Sequence, residues 1–151
     1  MSYRHVINRS FRVLTPTGRV GEAITKASYR GIENNMRFTA QSFDEEMDER
    51  IRIHRDRRGK EAWKDVEANI NLASAVSKWS KKENVILVDC LSLWLTNLMT
   101  HERNVDKDIQ KFLSQLEKSS GEVILISSEA GLGIVPNNRM ARNFRDHLGL
   151  L

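Results

Sequence analysis

Two short runs of apolar residues give the clearest signal in the pattern of apolar and polar positions along the chain. Residues 85–88 and Glu122–Ile126 are continuous and rich in β-branched side chains, which is typical of strands buried on both faces. Between them, two stretches carry apolar residues at helical spacing; their members are Leu93, Leu95, Leu98 and Met99, then Val105, Ile109, Phe112, Leu113 and Leu116. Strand, helix and strand in this order predict a right-handed parallel α/β unit.

Helices are also predicted on both sides of this unit. Ser42 and Glu45 have capping-box spacing, and apolar positions from Phe43 continue on one face to His54. The spacing predicts further helices over residues 66–79 and 138–147, and a charged connection over residues 55–64. Residues 1–37 show little periodicity and several Gly and Pro breakers, so we expect a poorly ordered or non-family segment there and one α/β domain over residues 38–151.

Composition narrows the class of protein. A chain of 151 residues suits one domain, and its single cysteine, Cys90, excludes a disulfide framework and is expected to be a small core residue. No apolar stretch has the length of a membrane span or the pattern of a secretion signal, so a cytoplasmic location is expected.

The net charge of +4 comes from the N-terminal part, where residues 1–40 hold seven Lys or Arg and two acids. A nucleic-acid-binding arm is one reading. The cations lack aromatic interleaving and helical spacing, so we expect no nucleic-acid partner.

A glycine-containing loop follows the second predicted strand. Residues 127–142 read SSEAGLGIVPNNRMAR, so the strand runs into small residues and two glycines before a proline and a basic helix. Ligands of open parallel sheets bind beyond the carboxyl ends of the strands, which would place Ser127, Ser128 and Glu129 at the binding edge. An ordinary strand-to-helix connection is the simpler interpretation.

His54 is the first candidate for chemistry. It lies in RIRIHRDRR at residues 50–58, where five arginines make a field suited to phosphate oxygens, and a histidine there could attack phosphorus. A histidine at a helix end is also a common charge partner of the helix dipole, and spacing alone favours that simpler role.

Asp89 is the second candidate, because an acid at the carboxyl end of a buried strand is where P-loop proteins hold magnesium or its water. The alternative is an N-cap for a helix starting near Ser92. Glu67 is a further acid of interest, and its simplest interpretation is a surface acid at the start of a helix.

These strings together resemble the bifunctional adenosylcobinamide kinase/adenosylcobinamide-phosphate guanylyltransferase family. Five segments match family motifs in the same order along the chain, over residues 39–149. In chain order they are TAQ at residues 39–41, RIRIHRDRR at residues 50–58, WKDVE at residues 63–67, VDCLSLWLTNL at residues 88–98 and the glycine loop. Phe38 departs from the alanine usual in the family. The match makes Trp94, Leu95 and Leu98 core residues rather than cofactor contacts.

The resemblance implies a P-loop NTPase-like, RecA-like α/β fold with a mostly parallel sheet flanked by helices and incomplete at both ends. It implies an enzyme of cobalamin biosynthesis that phosphorylates adenosylcobinamide and then passes GMP from GTP, through a guanylylated histidine, to adenosylcobinamide phosphate. GTP or ATP and Mg²⁺ would be the cofactors, and the number of subunits stays open. By the resemblance, His54 is the nucleophile, Asp89 the metal ligand, and the nucleotide-binding residues are Thr39, Ala40, His54, Arg55, Asp56, Arg57, Glu67 and Asp89.

The chain departs from the family at both ends. No segment matches the family P-loop GGxxSGKS, since residues 17–22 have glycines but no lysine, and the family strand beyond the last helix has no counterpart before Leu151. The 151-residue chain is therefore expected to lack kinase turnover. A catalytically inactive relative stays open as an alternative, with a basic nucleic-acid-binding module as a weaker one.

Overall fold

The computed structural model describes residues 11–14, 34–39, 63–128 and 136–151, with the backbone alone for the first two ranges and for Trp63. The elements, in chain order, are β1 Phe11–Leu14, β2 Asn34–Thr39, β3 Trp63–Glu67, α1 Leu72–Trp79, β4 Asn84–Asp89, α2 Leu91–Thr100, α3 Val105–Glu117, β5 Glu122–Ile126 and α4 Arg139–Leu150.

The five described strands form one parallel sheet in the order β1-β5-β4-β2-β3. The register brings all five carboxyl ends into one row. Across that row, Leu14 pairs with Ile126, Ile126 with Asp89, Asp89 with Thr39, and Thr39 with Glu67. The predicted parallel α/β arrangement is therefore present.

The hydrophobic core lies between this sheet and the helices. Ile86 and Val88 of β4 and Val123 and Leu125 of β5 share one cluster with apolar residues of all four described helices. The alternate residues of β4 and β5 are also almost fully buried, so these two strands are covered on both faces as predicted. Each fully buried leucine, isoleucine or valine contributes about 1.5–3 kcal/mol, so burial of β4 and β5 on both faces is a large stabilising contribution.

Most predicted elements in the second half of the chain are confirmed. Strand β5 has the predicted bounds, strand β4 extends the predicted run by one residue at each end, and helices α2, α3 and α4 lie where the apolar spacing indicates. Asn138 caps α4 by accepting a hydrogen bond from the backbone N–H of Ala141 at 2.7 Å.

Two differences from the predicted elements come from strand pairing. The predicted helix over residues 66–79 is wrong in its first part, because Trp63–Glu67 pairs with β2 as a strand and helix α1 begins only at Leu72. Strand β1 and most of β2 lie within residues 1–37, where the pattern indicated no element. The proposed division of the chain at residue 37 stays a prediction, and the helix predicted from Ser42 lies outside the described residues.

A serine-rich junction closes the amino end of the sheet. Ser80, after α1, accepts a hydrogen bond from the backbone N–H of Ser120 at 3.1 Å, and the Ser120 hydroxyl donates to the Ser80 carbonyl at 2.9 Å. The Ser80 and Ser119 hydroxyls are also hydrogen-bonded. This junction ties the end of α1 to the segment that enters β5, on the side of the sheet away from the candidate site.

None of the described helices has the length and apolar character that a membrane span needs.

Candidate functional site

The row of strand ends brings together candidate residues from three neighbouring strands. Asp89 ends β4, Thr39 ends β2 and Glu67 ends β3, and the register places Thr39 directly between the two acids. Residues opposite one another in a sheet lie on the same face, so Glu67 and Asp89 share a face. With adjacent strands about 4.8 Å apart, their Cα atoms are separated by roughly 10 Å, which lets them contact different parts of one ligand.

Asp89 occupies the position where the chain leaves a buried strand for a helix. It is half-buried, and the next residue, Cys90, is the N-cap of α2 with an extended backbone. The alternative role of Asp89 as the N-cap residue is wrong, because Cys90 holds that position. A carboxylate at this edge is well placed for a cation bound to phosphate oxygens.

Glu67 is exposed at the carboxyl end of β3. Its alternative role, an acid at a helix start, is also wrong, since α1 begins five residues later at Leu72. The side chain is therefore accessible to a ligand over the strand ends.

The donor set at this edge fits magnesium bound together with a nucleotide. Mg²⁺ usually takes one or two carboxylates and completes its coordination with water and substrate phosphates. Within residues 63–128 and 136–151, where side chains are described, no group of three or more His, Cys, Asp or Glu could enclose a metal ion. A carboxylate such as that of Asp89 suits a Mg²⁺ ion whose other ligands are phosphate oxygens and water.

Cys90 lies next to Asp89 and is half-buried rather than a full core residue. Burial raises the pKa of its thiol by disfavouring the thiolate, and the Asp89 carboxylate acts in the same direction. Hydrogen bonds at Leu93 and Ser92 oppose this increase in the pKa. The thiol is therefore mainly protonated at neutral pH. Because Cys90 lies next to Asp89, a ligand bound at Asp89 should change the reactivity of this thiol.

Helix α2 contacts the loops that follow two other strands. The Trp94 indole N–H donates to the Ile70 carbonyl at 2.9 Å, and the Asn97 side-chain amide donates to the Asn69 carbonyl at 3.1 Å, both just after β3. On the other side, the Ser92 hydroxyl accepts a hydrogen bond from the backbone N–H of Ser128 at 3.0 Å, just after β5.

The predicted core positions in α2 are confirmed, since Trp94, Leu95 and Leu98 are at most 2% exposed. The sequence did not predict the burial of Asn97, which is 0% exposed. It also did not predict the three hydrogen bonds between α2 side chains and the loops after β3 and β5. The available signal was a polar amide within the apolar run LSLWLTNLM of residues 91–99.

The far end of the glycine loop is held by α4. The Arg142 guanidinium donates from Nη1 to the Pro136 carbonyl at 3.1 Å and to the Asn137 carbonyl at 2.9 Å. Because β5 runs parallel to β4, Ser127 and Ser128 follow it at the same edge as Asp89; Ser127 is half-buried and Ser128 is exposed. Ligand binding at these residues stays a prediction.

Several predicted site residues lie outside the described residues. They are Ala40, His54, Arg55, Asp56, Arg57 and Glu129. Their roles stay predictions, and Thr39 is placed by its backbone alone.

Comparison with known proteins identifies the family. Residues 22–151 match the family CobU, described as cobinamide kinase / cobinamide phosphate guanyltransferase. The bifunctional adenosylcobalamin biosynthesis protein CobP of Pseudomonas aeruginosa is 36% identical over 127 residues, which are 83% of this chain and 73% of that protein. The bifunctional adenosylcobalamin biosynthesis proteins CobU of Salmonella typhimurium and Escherichia coli K12 are 32% and 31% identical over 126 residues, in each case 74% of this chain and 69% of the relative. The motifs of the glycine loop and of α2, the parallel sheet and these matches agree, and the chain belongs to the cobinamide kinase / cobinamide phosphate guanyltransferase family.

Proposed function

We propose that this chain is a nucleotide-dependent transferase of cobalamin biosynthesis that passes GMP from GTP to adenosylcobinamide phosphate in the cytoplasm. The observation that carries the proposal is the row formed by Asp89, Thr39 and Glu67 at the carboxyl edge of the parallel sheet. This is the edge at which open α/β sheets bind nucleotides. The names of the relatives support the substrate class.

In the proposed reaction, a nitrogen of the His54 imidazole attacks the α-phosphorus of GTP. The bond from that phosphorus to the bridging oxygen breaks, pyrophosphate leaves with the electron pair, and GMP remains on the histidine. A phosphate oxygen of adenosylcobinamide phosphate then attacks the same phosphorus, the phosphorus–nitrogen bond breaks, and the imidazole is regenerated. The histidine divides one difficult transfer into two easier displacements.

The other residues bind and orient the nucleotide in this proposal. Asp89 would hold Mg²⁺, which supplies charge neutralisation at the phosphates, and Glu67 would lie toward the guanine or ribose. Arg55 and Arg57 would neutralise the triphosphate beside His54, because a guanidinium offers paired donors to phosphate oxygens. Thr39 and Ala40 would contact the nucleotide between the two acids.

The kinase half-reaction needs a further element at the same edge. Strand β1 ends at Leu14 in the row of strand ends, and residues 15–22 that follow it, TPTGRVGE, include two glycines but no lysine. Phosphoryl transfer depends on backbone amides and a lysine around the β- and γ-phosphates. Guanylyl transfer is therefore the half-reaction that we assign to the 151-residue chain.

Protection of Cys90 tests nucleotide binding directly. Saturating GTP with Mg²⁺ is expected to slow alkylation of Cys90 by iodoacetamide at least about fivefold, because the bound nucleotide would cover the edge next to Asp89. Mass spectrometry of the Cys90 peptide gives the rate, and GTP with EDTA is the control. An alkylation rate that saturating GTP and Mg²⁺ leave unchanged would contradict the proposed site.

The same assay has a defined pH dependence. Only the thiolate reacts, and the pKa of Cys90 is raised in the folded chain, so alkylation at pH 8 should be slower than in the urea-unfolded chain. The folded-state rate should keep rising with pH after the unfolded-state rate has levelled off. Equal pH profiles for the two states would show that folding does not raise the pKa of the Cys90 thiol.

Replacement of Asp89 by asparagine tests the metal ligand. The amide keeps the shape of the side chain but lacks the charge, so GTP affinity in the presence of Mg²⁺ should fall by about tenfold or more, as expected for an interaction of roughly 1.5–3 kcal/mol with a charged group. The melting temperature should change little. The matched control is Glu122→Gln. Glu122 begins β5, at the amino end of the sheet and away from Asp89, so this variant should bind GTP like the parent. A large fall in melting temperature with unchanged GTP affinity would make Asp89 a structural residue instead.

A further inference from the structure

We infer that helix α2 sets the positions of the two loops that flank the candidate nucleotide site, with Ser92, Trp94 and Asn97 as positioning residues. The role in nucleotide binding rests on the proposed function. The placement of the loops by the helix does not, because it follows from described hydrogen bonds.

The loop after β3 is held at two consecutive carbonyl groups. Asn97 donates to the Asn69 carbonyl and Trp94 to the Ile70 carbonyl, two and three residues beyond Glu67. The Trp94 ring is itself fixed by packing against Phe112, with 5.1 Å between ring centroids. The direction in which the backbone leaves Glu67 is therefore determined by side chains of α2.

The loop after β5 is held by a different side chain of the same helix. Ser92 lies in the first turn of α2, is 9% exposed, and accepts the hydrogen bond from the backbone N–H of Ser128. This contact lies two residues beyond Ile126, where the glycine loop begins. Because α2 directly follows Asp89 and Cys90, one helix links the ends of β3, β4 and β5.

Stability alone does not account for the amide at position 97. Asn97 is fully buried, and its side-chain carbonyl oxygen has no hydrogen-bond partner among the described residues. Burying an unpaired polar atom is unfavourable, and a leucine of similar size would avoid that cost. The hydrogen bond to the Asn69 carbonyl is the feature that leucine could not supply, which points to a role in holding the loop.

Variants of α2 separate this role from general packing. Asn97→Leu should change the melting temperature little, because removal of the unpaired amide oxygen offsets the loss of the hydrogen bond to the Asn69 carbonyl. It should accelerate amide hydrogen exchange in residues 69–72 at least about fivefold. Ser92→Ala should accelerate exchange at the Ser128 amide by a similar factor, and Ser92→Thr, which keeps the acceptor oxygen, should restore the slow rate. Thr96→Val is the matched control, because the Thr96 hydroxyl donates only within α2, to the Ser92 carbonyl at 2.9 Å.

Nucleotide affinity is the second readout. Asn97→Leu and Ser92→Ala should each raise the Kd for GTP with Mg²⁺ at least about fivefold, while Thr96→Val and Ser92→Thr bind like the parent. Folded variants with parental exchange rates in both loops would overturn the inference. Faster exchange with unchanged GTP affinity would support the placement of the loops by α2 and overturn their role in nucleotide binding. If the parent fails to bind GTP in the Cys90 assay, the proposed function fails, and the exchange rates alone then decide whether α2 positions the loops. Should Asn97→Leu fail to fold, the Ser92 pair provides both readouts.

Discussion

Replacing His54 by alanine is expected to abolish covalent labelling of the chain by GTP. Incubation of the parent with GTP labelled at the α-phosphate and Mg²⁺ should leave a GMP adduct that is labile to acid and stable to alkali. A phosphorus–nitrogen bond behaves in this way, whereas a phosphate ester on serine or threonine does not. The adduct should be absent from His54→Ala, because no other group is proposed to attack the α-phosphorus.

The control is a histidine outside the proposed site. His101 lies at the C-cap of α2 and is exposed, so His101→Ala should label like the parent. Label that persists unchanged in His54→Ala would remove His54 from the mechanism. Label that is lost equally in both variants would show that the loss does not depend on His54.

Replacing Gly121 by alanine is expected to produce the largest loss of stability. A Cβ atom at this position would lie 2.2 Å from the Lys81 carbonyl oxygen and 2.8 Å from the Asn84 carbonyl oxygen. Both contacts are with backbone atoms, so a side-chain rotation cannot relieve them. We expect a loss of about 3 kcal/mol or more in the free energy of unfolding, at or above the usual range for overpacking. At about 2–4 °C per kcal/mol for a chain of this size, the melting temperature should fall by roughly 6–12 °C.

Gly149→Ala is the matched control for this substitution. A Cβ atom at Gly149 would have no neighbour within 4 Å, and the residue lies in helix α4. Alanine is the better helix former, so this variant should be more stable by roughly 0.4–1 kcal/mol. Urea unfolding of both variants provides the comparison, and equal stabilities would show that the backbone around Gly121 adjusts at little cost.

The two predictions concern opposite ends of the sheet. Gly121 lies beside the junction of Ser80 and Ser120 at the amino end, whereas the proposed chemistry lies beyond the carboxyl ends of the strands. Stability and ligand binding can therefore be changed separately in this chain. A Gly121→Ala variant that still folds at low temperature should keep the protection of Cys90 by GTP.

Local patterns in the sequence determined the second half of the fold. Strands β4 and β5 and helices α2 to α4 follow from runs of apolar residues and helical spacing, because these signals lie within each element. The same patterns placed Asp89 at a strand end. Motifs compared with a known family added Glu67 and Thr39, and the register then brought these three residues into one row.

Only the tertiary structure decided the elements and contacts that depend on distant partners. Residues 63–67 have no clear strand pattern and become β3 by pairing with β2, while β1 is ordered against β5, more than a hundred residues later in the chain. The role of the buried Asn97 amide likewise becomes clear only from its hydrogen bond to the Asn69 carbonyl, 28 residues earlier in the chain. Hydrogen bonds across the sheet and between a helix and a loop join residues that are far apart in the chain. The spacing of apolar residues reports only on near neighbours, so such contacts cannot be predicted from it.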